Sequence, residues 1–155
     1  MTVHLVKLCV GIESIDDLVA WFASEDCKKA RKRKGLRSPN EHAHWTRMKP
    51  KRVEEVLDGG SLYWVIRGRI CVRHPILRLD DVKDEKGNGY CAIVYEPKVI
   101  LTETRPRRPF QGWRYLEEED APADLADQRA ALQAAHAEAE LPAKMVAELK
   151  ALGLL

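Results

Sequence analysis

Residues 61–79, SLYWVIRGRICVRHPILRL, decide the fold class. Apolar side chains alternate along residues 61–67, and after Gly68 the chain is again extended and apolar to residue 79. Pro75 has no backbone N–H to give to a sheet, which predicts an edge position or a bulge there. The stretch therefore predicts two strands that follow each other closely.

Further strands are predicted on both sides of this stretch. Residues 3–10, VHLVKLCV, are rich in β-branched residues and end at Gly11, and residues 86–89, KGNG, are a strong turn signal. Strands that are adjacent in sequence and joined by short turns favour an antiparallel sheet over a βαβ arrangement. We expect a small, mostly antiparallel β-barrel of five or six strands, the later ones at residues 90–95, 99–104 and 110–116.

Helices are predicted after the first strand and at the end of the chain. Ser14 is a helix N-cap, because acidic residues and an apolar face at helical spacing follow it. Residues 52–57 predict a single short helical turn. The Ala-rich residues 124–140 predict a helix, and beyond it an apolar stripe could pack on the domain or on a second copy of the chain; the stripe consists of Met145, Val146, Leu149 and Leu152.

A chain of 155 residues fits one α+β domain. We assign residues 1–126 to this domain and residues 127–155 to a helical C-terminal extension. The first residues lack the features of a signal peptide, and no apolar run approaches the roughly 18 residues of a membrane helix. The sequence therefore predicts a cytoplasmic protein without a membrane partner.

The four cysteines form no CxxC pair, and we expect Cys9, Cys71 and Cys91 to be reduced thiols in the core.

Charge is unevenly distributed along the chain. Residues 28–52 carry eleven Lys or Arg against Glu41 alone, whereas residues 117–140 carry eight acidic residues against Arg129 alone. Residues 27–44 show no apolar period and predict an exposed, mobile loop. Clustered cations attract phosphate backbones through counterion release, so the loop indicates polyanion binding, with nucleic acid as the favoured partner. A solvated charged face is the alternative.

Aromatic residues lie close to the later basic positions. Trp45 precedes Arg47, and Trp113 precedes Arg114. Stacking on aromatic rings together with hydrogen bonds to base edges is typical of single-strand recognition. We expect Trp45 to face solvent, whereas Trp113 could instead be a core residue.

Signatures of enzymes are weak. The Gly59-Gly60 pair lacks the flanking residues of a phosphate loop, and no GxSxG motif occurs. His42 and His44 are expected to be solvated loop histidines, since no carboxylate is spaced to complete a metal site with them. Ser61 or Cys71 beside His74 would lack an orienting third group. We expect no metal and no cofactor.

Several motifs resemble DUF1489, a family of small alphaproteobacterial proteins of unknown function. They are HLVKLCVG (4–11), TRMKPKR (46–52), DGGSLYWVIRG (58–68) and PRRPFQGWRYL (106–116). The resemblance covers residues 1 to about 126 and leaves out the tail and most of residues 28–34. More distantly, the layout is similar to the PUA-like superfamily, including the ASCH and EVE groups. That similarity implies a barrel that binds RNA or modified bases in a cleft beside it.

Together these features predict a nucleic-acid-binding domain that binds its ligand through an aromatic and basic cleft, with RNA or a modified nucleotide as the favoured ligand. A small hydrolase acting on a nucleotide-like substrate, and a non-catalytic module that dimerises through its C-terminal helix, are the alternatives. The predicted binding residues are Lys28, Lys29, Arg31, Lys32, Arg33, Lys34, Trp45, Arg47, Lys49, Arg52, Tyr63, Gln111, Trp113 and Arg114.

Overall fold

The structure is a computed structural model that describes residues 1–140, 148 and 151–153. Within these residues the chain forms seven strands, four α-helices and one short 3₁₀ helix (Glu118–Asp120). In chain order the elements are β1 (Val3–Leu8), α1 (Ile15–Phe22), α2 (Glu25–Arg33), β2 (His42–Thr46), α3 (Val53–Leu57), β3 (Ser61–Ile66), β4 (Arg69–Lys83), β5 (Gly89–Tyr95), β6 (Ile100–Pro106), β7 (Trp113–Glu117) and α4 (Gln128–Glu140).

The strands form one sheet in the order β2-β5-β4-β3-β1-β7, and β6 pairs with β4 outside this path. Strands β1 and β3 are parallel, with Leu5 opposite Leu62. The other pairs are antiparallel, which confirms the expected mostly antiparallel sheet. The sheet is not closed into a barrel, because β2 and β7 lie at its two ends and, in the part of the chain described, do not pair with each other. The expected barrel closure is therefore wrong.

Strand β4 connects the two halves of the sheet. Its first part pairs with β3 and β6, and from Ile76 onward it pairs with β5. Pro75 lies at this transition, and the register shifts between Ile76 and Arg78. The bulge expected near Pro75 is thus present. The turn between β3 and β4 is Arg67-Gly68, both with positive φ (52° and 75°), as two-residue hairpin turns require.

The main core lies against one face of β1 and β3. Leu5, Leu62 and Trp64 point into it, together with Ile93 of β5 and Leu18 of α1. Leu125 and Leu132 also pack against this core, and α4 contacts α1 and β6. The first part of the helical segment after residue 126 therefore packs against the sheet domain. The boundary at residue 126 stays a prediction.

Helix α1 begins as the sequence predicts: the Ser14 hydroxyl accepts a hydrogen bond of 3.1 Å from the backbone N–H of Asp17. Residues 27–44 are not one continuous loop, so that expectation is wrong. They contain most of α2 and the start of β2. Ser24 caps α2, and Cys27 and Ala30, three residues apart, are buried. Helix α2 has acidic residues in its first turn and basic residues in its last turn. These charges interact favourably with the positive and negative ends of the helix dipole and so stabilise a helix with a narrow apolar face.

The four cysteines are buried and free, as expected for Cys9, Cys71 and Cys91. Burial raises the pKa of Cys9 to about 12 and that of Cys71 to about 11, so both thiols stay protonated at neutral pH.

Among the helices that the structure describes, none is long and apolar enough to cross a membrane.

Candidate nucleic-acid interface

Three of the six predicted cations near α2 have protein partners. Arg31 donates through Nε to the carbonyl oxygen of Glu41 at 2.9 Å, and Lys34 donates to that of Ala43 at 2.5 Å. Lys28 forms an ion pair of 3.2 Å with Glu25. Arg31 and Lys34 thus join α2 to β2. The exposed residues left to attract a ligand on α2 are Lys29, Lys32 and Arg33.

Most of the predicted cations that follow β2 also have protein partners. Lys49 pairs with Asp81 at 3.1 Å. Arg52 pairs with Glu55 and, at 2.6 Å, with Glu117, and these two carboxylates raise its pKa. Arg52 therefore holds α3 against β7.

Arg47, the remaining cation of this group, lies 5.9 Å from the ring of Tyr90 in a cation–π arrangement. The ring of Trp45 lies 5.8 Å from the same ring, tilted by 34°. Trp45 is half-buried on β2 instead of facing solvent from a loop, so that expectation is wrong. The three side chains form a small aromatic and cationic surface on β2 and β5.

The predicted aromatic cleft is not assembled in one place. Trp45 packs in a small cluster with Ala43, and Trp113 packs in the main core. Tyr63 packs in a second buried cluster, with Val6 and Val65. Tyr63 is 4% and Trp113 8% exposed. For Trp113 the core alternative is therefore the correct one. Neighbouring strand residues point to opposite faces, so Tyr63 cannot share a cleft with Trp113 and the inward side chain of Trp64.

A group of arginines that the sequence analysis mostly missed lies at one end of the sheet. The β3–β4 turn is there, and the carbonyl oxygen of Gly68 accepts a hydrogen bond of 2.8 Å from the N–H of Arg107. Strand pairing places Arg69 opposite Pro106. We call this group the arginine cluster; it consists of Arg69, Arg105, Arg107, Arg108 and Arg114.

Phe110 lies within the arginine cluster. The guanidinium carbons of Arg107 and Arg114 lie 5.0 and 5.2 Å from the centre of its ring. Arg114 also donates to the carbonyl oxygen of Gln111 at 2.8 Å, which fixes the position of its guanidinium. Gln111 is exposed beside it.

The arginine cluster lacks the carboxylate partners that several arginines elsewhere in the described chain have. Arg52, Arg73 and Arg78 each form ion pairs with carboxylates. Within the described residues, no member of the arginine cluster forms an ion pair; Arg105 and Arg114 donate to backbone carbonyls only. The sequence signal for the arginine cluster was the run RPRR at residues 105–108. Arg69 is far from this run in sequence and lies beside it only because β4 pairs with β6.

Lys7 on β1 is another cation that was not among the predicted binding residues. Lys7 is half-buried, and burial lowers its pKa. It lies opposite Trp64 on one side and Trp113 on the other. Its position among the apolar residues Val6 and Leu8 of β1 was the sequence signal.

The histidines predicted to be solvated are not. His42 is 1% exposed, His44 is half-buried, and burial lowers both pKa values to about 4. No group of three or more His, Cys, Asp or Glu in the described part of the chain could hold a metal ion. A groove of about 850 Å³ lies close to His42. Its lining includes Phe22, whose ring contacts His42, and Glu41, which precedes His42 in the sequence.

Fold and surface define a mixed α/β protein with an open, mostly antiparallel seven-stranded sheet and, at one end, a cluster of arginines that form no ion pairs within the described residues. The chain belongs to the family described as "Protein of unknown function (DUF1489)", whose model matches residues 5–155. The match continues through the C-terminal residues, so the expectation that the resemblance ends near residue 126 is wrong. No curated protein and no solved structure matches the chain.

Proposed function

We propose that the protein binds nucleic acid, with RNA as the favoured form, through the arginine cluster. The observation that carries the proposal is that these five guanidiniums lie at one end of the sheet and form no ion pair in the described part of the chain, whereas Arg52, Arg73 and Arg78 pair with carboxylates. A guanidinium offers two parallel N–H donors that match a phosphate, and guanidiniums that are not held by ion pairs keep such donors available.

Phe110 supports single-stranded nucleic acid over a duplex. The guanidiniums of Arg107 and Arg114 both lie over its half-buried ring. Such an assembly presents planar groups on which unpaired bases stack while neighbouring cations hold the backbone. The exposed amide of Gln111 adds a donor and an acceptor for a base edge.

The exposed residues of α2 have a secondary role in this proposal. Lys29, Lys32 and Arg33 supply long-range attraction without selecting a sequence. Arg31 and Lys34, which the sequence analysis included, act through the structure by fixing α2 on β2.

Binding of a fluorescent single-stranded RNA, measured by anisotropy at about 50 and about 200 mM salt, tests the proposal. The double variant Arg107→Ser/Arg108→Ser should weaken binding about tenfold or more and flatten the salt dependence. Arg129→Ser on α4 is a matched control with an exposed arginine outside the cluster, and it should change the affinity less than twofold. Equal losses in both variants, or affinity that does not depend on salt, would overturn the proposal. A DNA oligomer of the same sequence shows which nucleic acid is preferred.

A relation to PUA-like folds remains part of this proposal. It is supported by the helix that follows the first strand, by the parallel pairing of β1 with β3, and by the short α3 that precedes the glycine-led β3. The likeness concerns the layout of elements, and it carries the ligand class only by analogy.

The alternatives receive less support. A hydrolase needs a lysine or carboxylate with a displaced pKa beside a second acid or base. Lys7 has a displaced pKa, but among the residues described no carboxylate bonds to it, which favours binding over catalysis. For the dimerisation alternative, Met145, Val146 and Leu149 lie outside the described residues, and Leu152 is 72% exposed.

A further inference from the structure

Lys7 occupies a position where the sheet otherwise places apolar side chains. Val3 and Leu5 precede it on the same face of β1, and both are fully buried in the main core. Trp64 and Trp113, its neighbours on the two adjacent strands, also belong to that core. A half-buried ammonium there costs desolvation free energy, so the lysine does not serve stability.

Lys7 also differs from every other half-buried cation of the described chain. Arg52, Arg73 and Arg78 pair with carboxylates, Arg31 and Lys34 donate to carbonyl oxygens, and Arg107 lies over Phe110. Within the described ranges, Lys7 makes no hydrogen bond, ion pair or cation–π contact. Its three N–H donors are therefore available.

Two further donors without partners lie beside Lys7. His44 of β2 is near enough for the ammonium to lower its pKa, and its ring lies 6.0 Å from the Trp64 ring. Neither ring nitrogen of His44 has a hydrogen-bond partner among the residues described. The indole Nε1 of Trp64, a residue that is 6% exposed, is buried without a partner as well. A buried polar nitrogen without a partner is rare and calls for an explanation.

The three groups have complementary chemistry for one class of ligand. A lysine ammonium and an indole only donate hydrogen bonds, and a neutral imidazole donates one. The absence of an ion pair to Lys7, in the part of the chain described, leaves its charge uncompensated. The positive ammonium repels a metal cation, whereas an oxyanion accepts hydrogen bonds from donors of all three kinds and would offset the desolvation of Lys7.

We propose that Lys7, His44 and Trp64 form a phosphate-binding site, which we call the Lys7 site, at the seam between β2 and the β1–β3 pair. The ligand is either inorganic phosphate or the phosphate group of a nucleotide. The Lys7 site is separate from the arginine cluster, so the proposal does not rest on nucleic-acid binding by those arginines.

The indole N–H signals of the four tryptophans, followed by NMR during titration at constant ionic strength, test the site. Inorganic phosphate and adenosine 5′-monophosphate are the two probes. The Trp64 signal should shift and saturate, whereas those of Trp21 and Trp45 should stay in place. Similar affinity for both probes indicates a free phosphate, and tighter binding of the nucleotide indicates a nucleotide phosphate; both results support the site.

Lys7→Met keeps an unbranched side chain of nearly the same length without its charge and should fold with unchanged or higher stability. It should weaken phosphate binding at least tenfold, and His44→Phe should weaken it less. Lys83→Met, an exposed lysine on β4, is the matched control and should bind like wild type. Wild-type affinity in folded Lys7→Met, or uniform unsaturable shifts of all four indoles, would overturn the proposal. RNA binding by Lys7→Met should be unchanged, which separates a failure here from a failure of the arginine cluster.

Discussion

The indole nitrogen of Trp113 donates a hydrogen bond of 2.7 Å to the carbonyl oxygen of Met48. Trp113 begins β7 at one end of the sheet, and Met48 follows β2 at the other end. Beside this bond, the hydroxyl of Tyr115 accepts hydrogen bonds from the backbone N–H groups of Lys51 (2.9 Å) and Arg52 (3.1 Å). The two ends of the open sheet are thus joined by bonds from side chains to backbone, in place of strand pairing.

This connection predicts that Tyr115→Phe destabilises the fold. The variant keeps the ring but removes the acceptor shared by two backbone N–H groups. We expect the free energy of unfolding to fall by about 1 kcal/mol, since water replaces part of the lost bonding. Urea denaturation measures the change. Tyr90→Phe is the control, because no protein hydrogen bond to its hydroxyl occurs in the described structure. A loss of the same size in both variants would contradict the role of Tyr115.

Much of the sheet could be predicted because its signals are local. The alternation in residues 61–67 and the turn at residues 86–89 depend on neighbouring residues alone, and β3, β4 and β5 were found from them. Ser14 likewise marks the start of α1 through a cap that involves residues three apart.

The parts that were missed depend on contacts between distant residues. Helix α2 buries only Cys27 and Ala30, too few residues to give an apolar period, and β2 becomes a strand by pairing with β5. The arginine cluster forms because β4 pairs with β6, which brings Arg69 to Pro106. The predicted cleft failed for the same reason, since proximity in sequence to basic residues does not determine which face of a strand carries a ring.

Gly60 is predicted to tolerate no side chain. A Cβ atom at this position would overlap the backbone carbonyl oxygens of Val56 and Val3, and neither can move without displacing α3 or β1. Gly60→Ala should lower the free energy of unfolding by about 3 kcal/mol or prevent folding, as overpacking against backbone does. Urea denaturation, or soluble yield where the variant does not fold, measures this. At Gly89 nothing lies within 4 Å of the added atom, so Gly89→Ala should change stability by less than about 1 kcal/mol. Similar stability of the two variants would refute the packing at Gly60.

The Arg73–Asp124 pair predicts a loss of stability in acid. Arg73 donates to both carboxylate oxygens at 2.8 and 2.7 Å, and it holds the pKa of Asp124 below its usual range. The pair therefore stabilises the fold above the unfolded pKa of about 4, and this contribution is lost as the pH falls through the folded pKa. Because Asp124 is partly exposed, we expect about 1 kcal/mol, after allowance for screening by solvent.

Comparison of wild type with Asp124→Asn checks this expectation. The variant should be less stable than wild type at pH 7, and the difference should shrink at pH 3. Thermal unfolding at the two pH values gives both numbers. A difference that does not depend on pH would mean that the carboxylate acts through shape alone, without its charge.

Two buried histidines predict a separate fall in stability at mildly acidic pH. His42 and His74 are at most 1% exposed, and burial lowers both pKa values to about 4, whereas an unfolded histidine titrates near 6.5. His74 donates through Nδ1 to the carbonyl oxygen of Lys98 at 2.8 Å, and its Nε2 is buried without a partner. Between pH 6.5 and 4 the unfolded chain therefore binds protons that the folded chain does not.

The sign follows from this difference in bound protons: the free energy of unfolding decreases as the pH falls from 6.5 towards 4. Each histidine should contribute a loss of about 2 kcal/mol at pH 5 relative to pH 7. His74→Phe should be about 1 kcal/mol less stable than wild type at pH 7, because the bond to Lys98 is lost. It should nevertheless lose about 2 kcal/mol less than wild type on going to pH 5. Tyr90→Phe, which changes no histidine, should show the full wild-type fall. If urea denaturation gives His74→Phe and wild type the same fall, then His74 does not take up a proton on unfolding, and its neutral buried state is refuted.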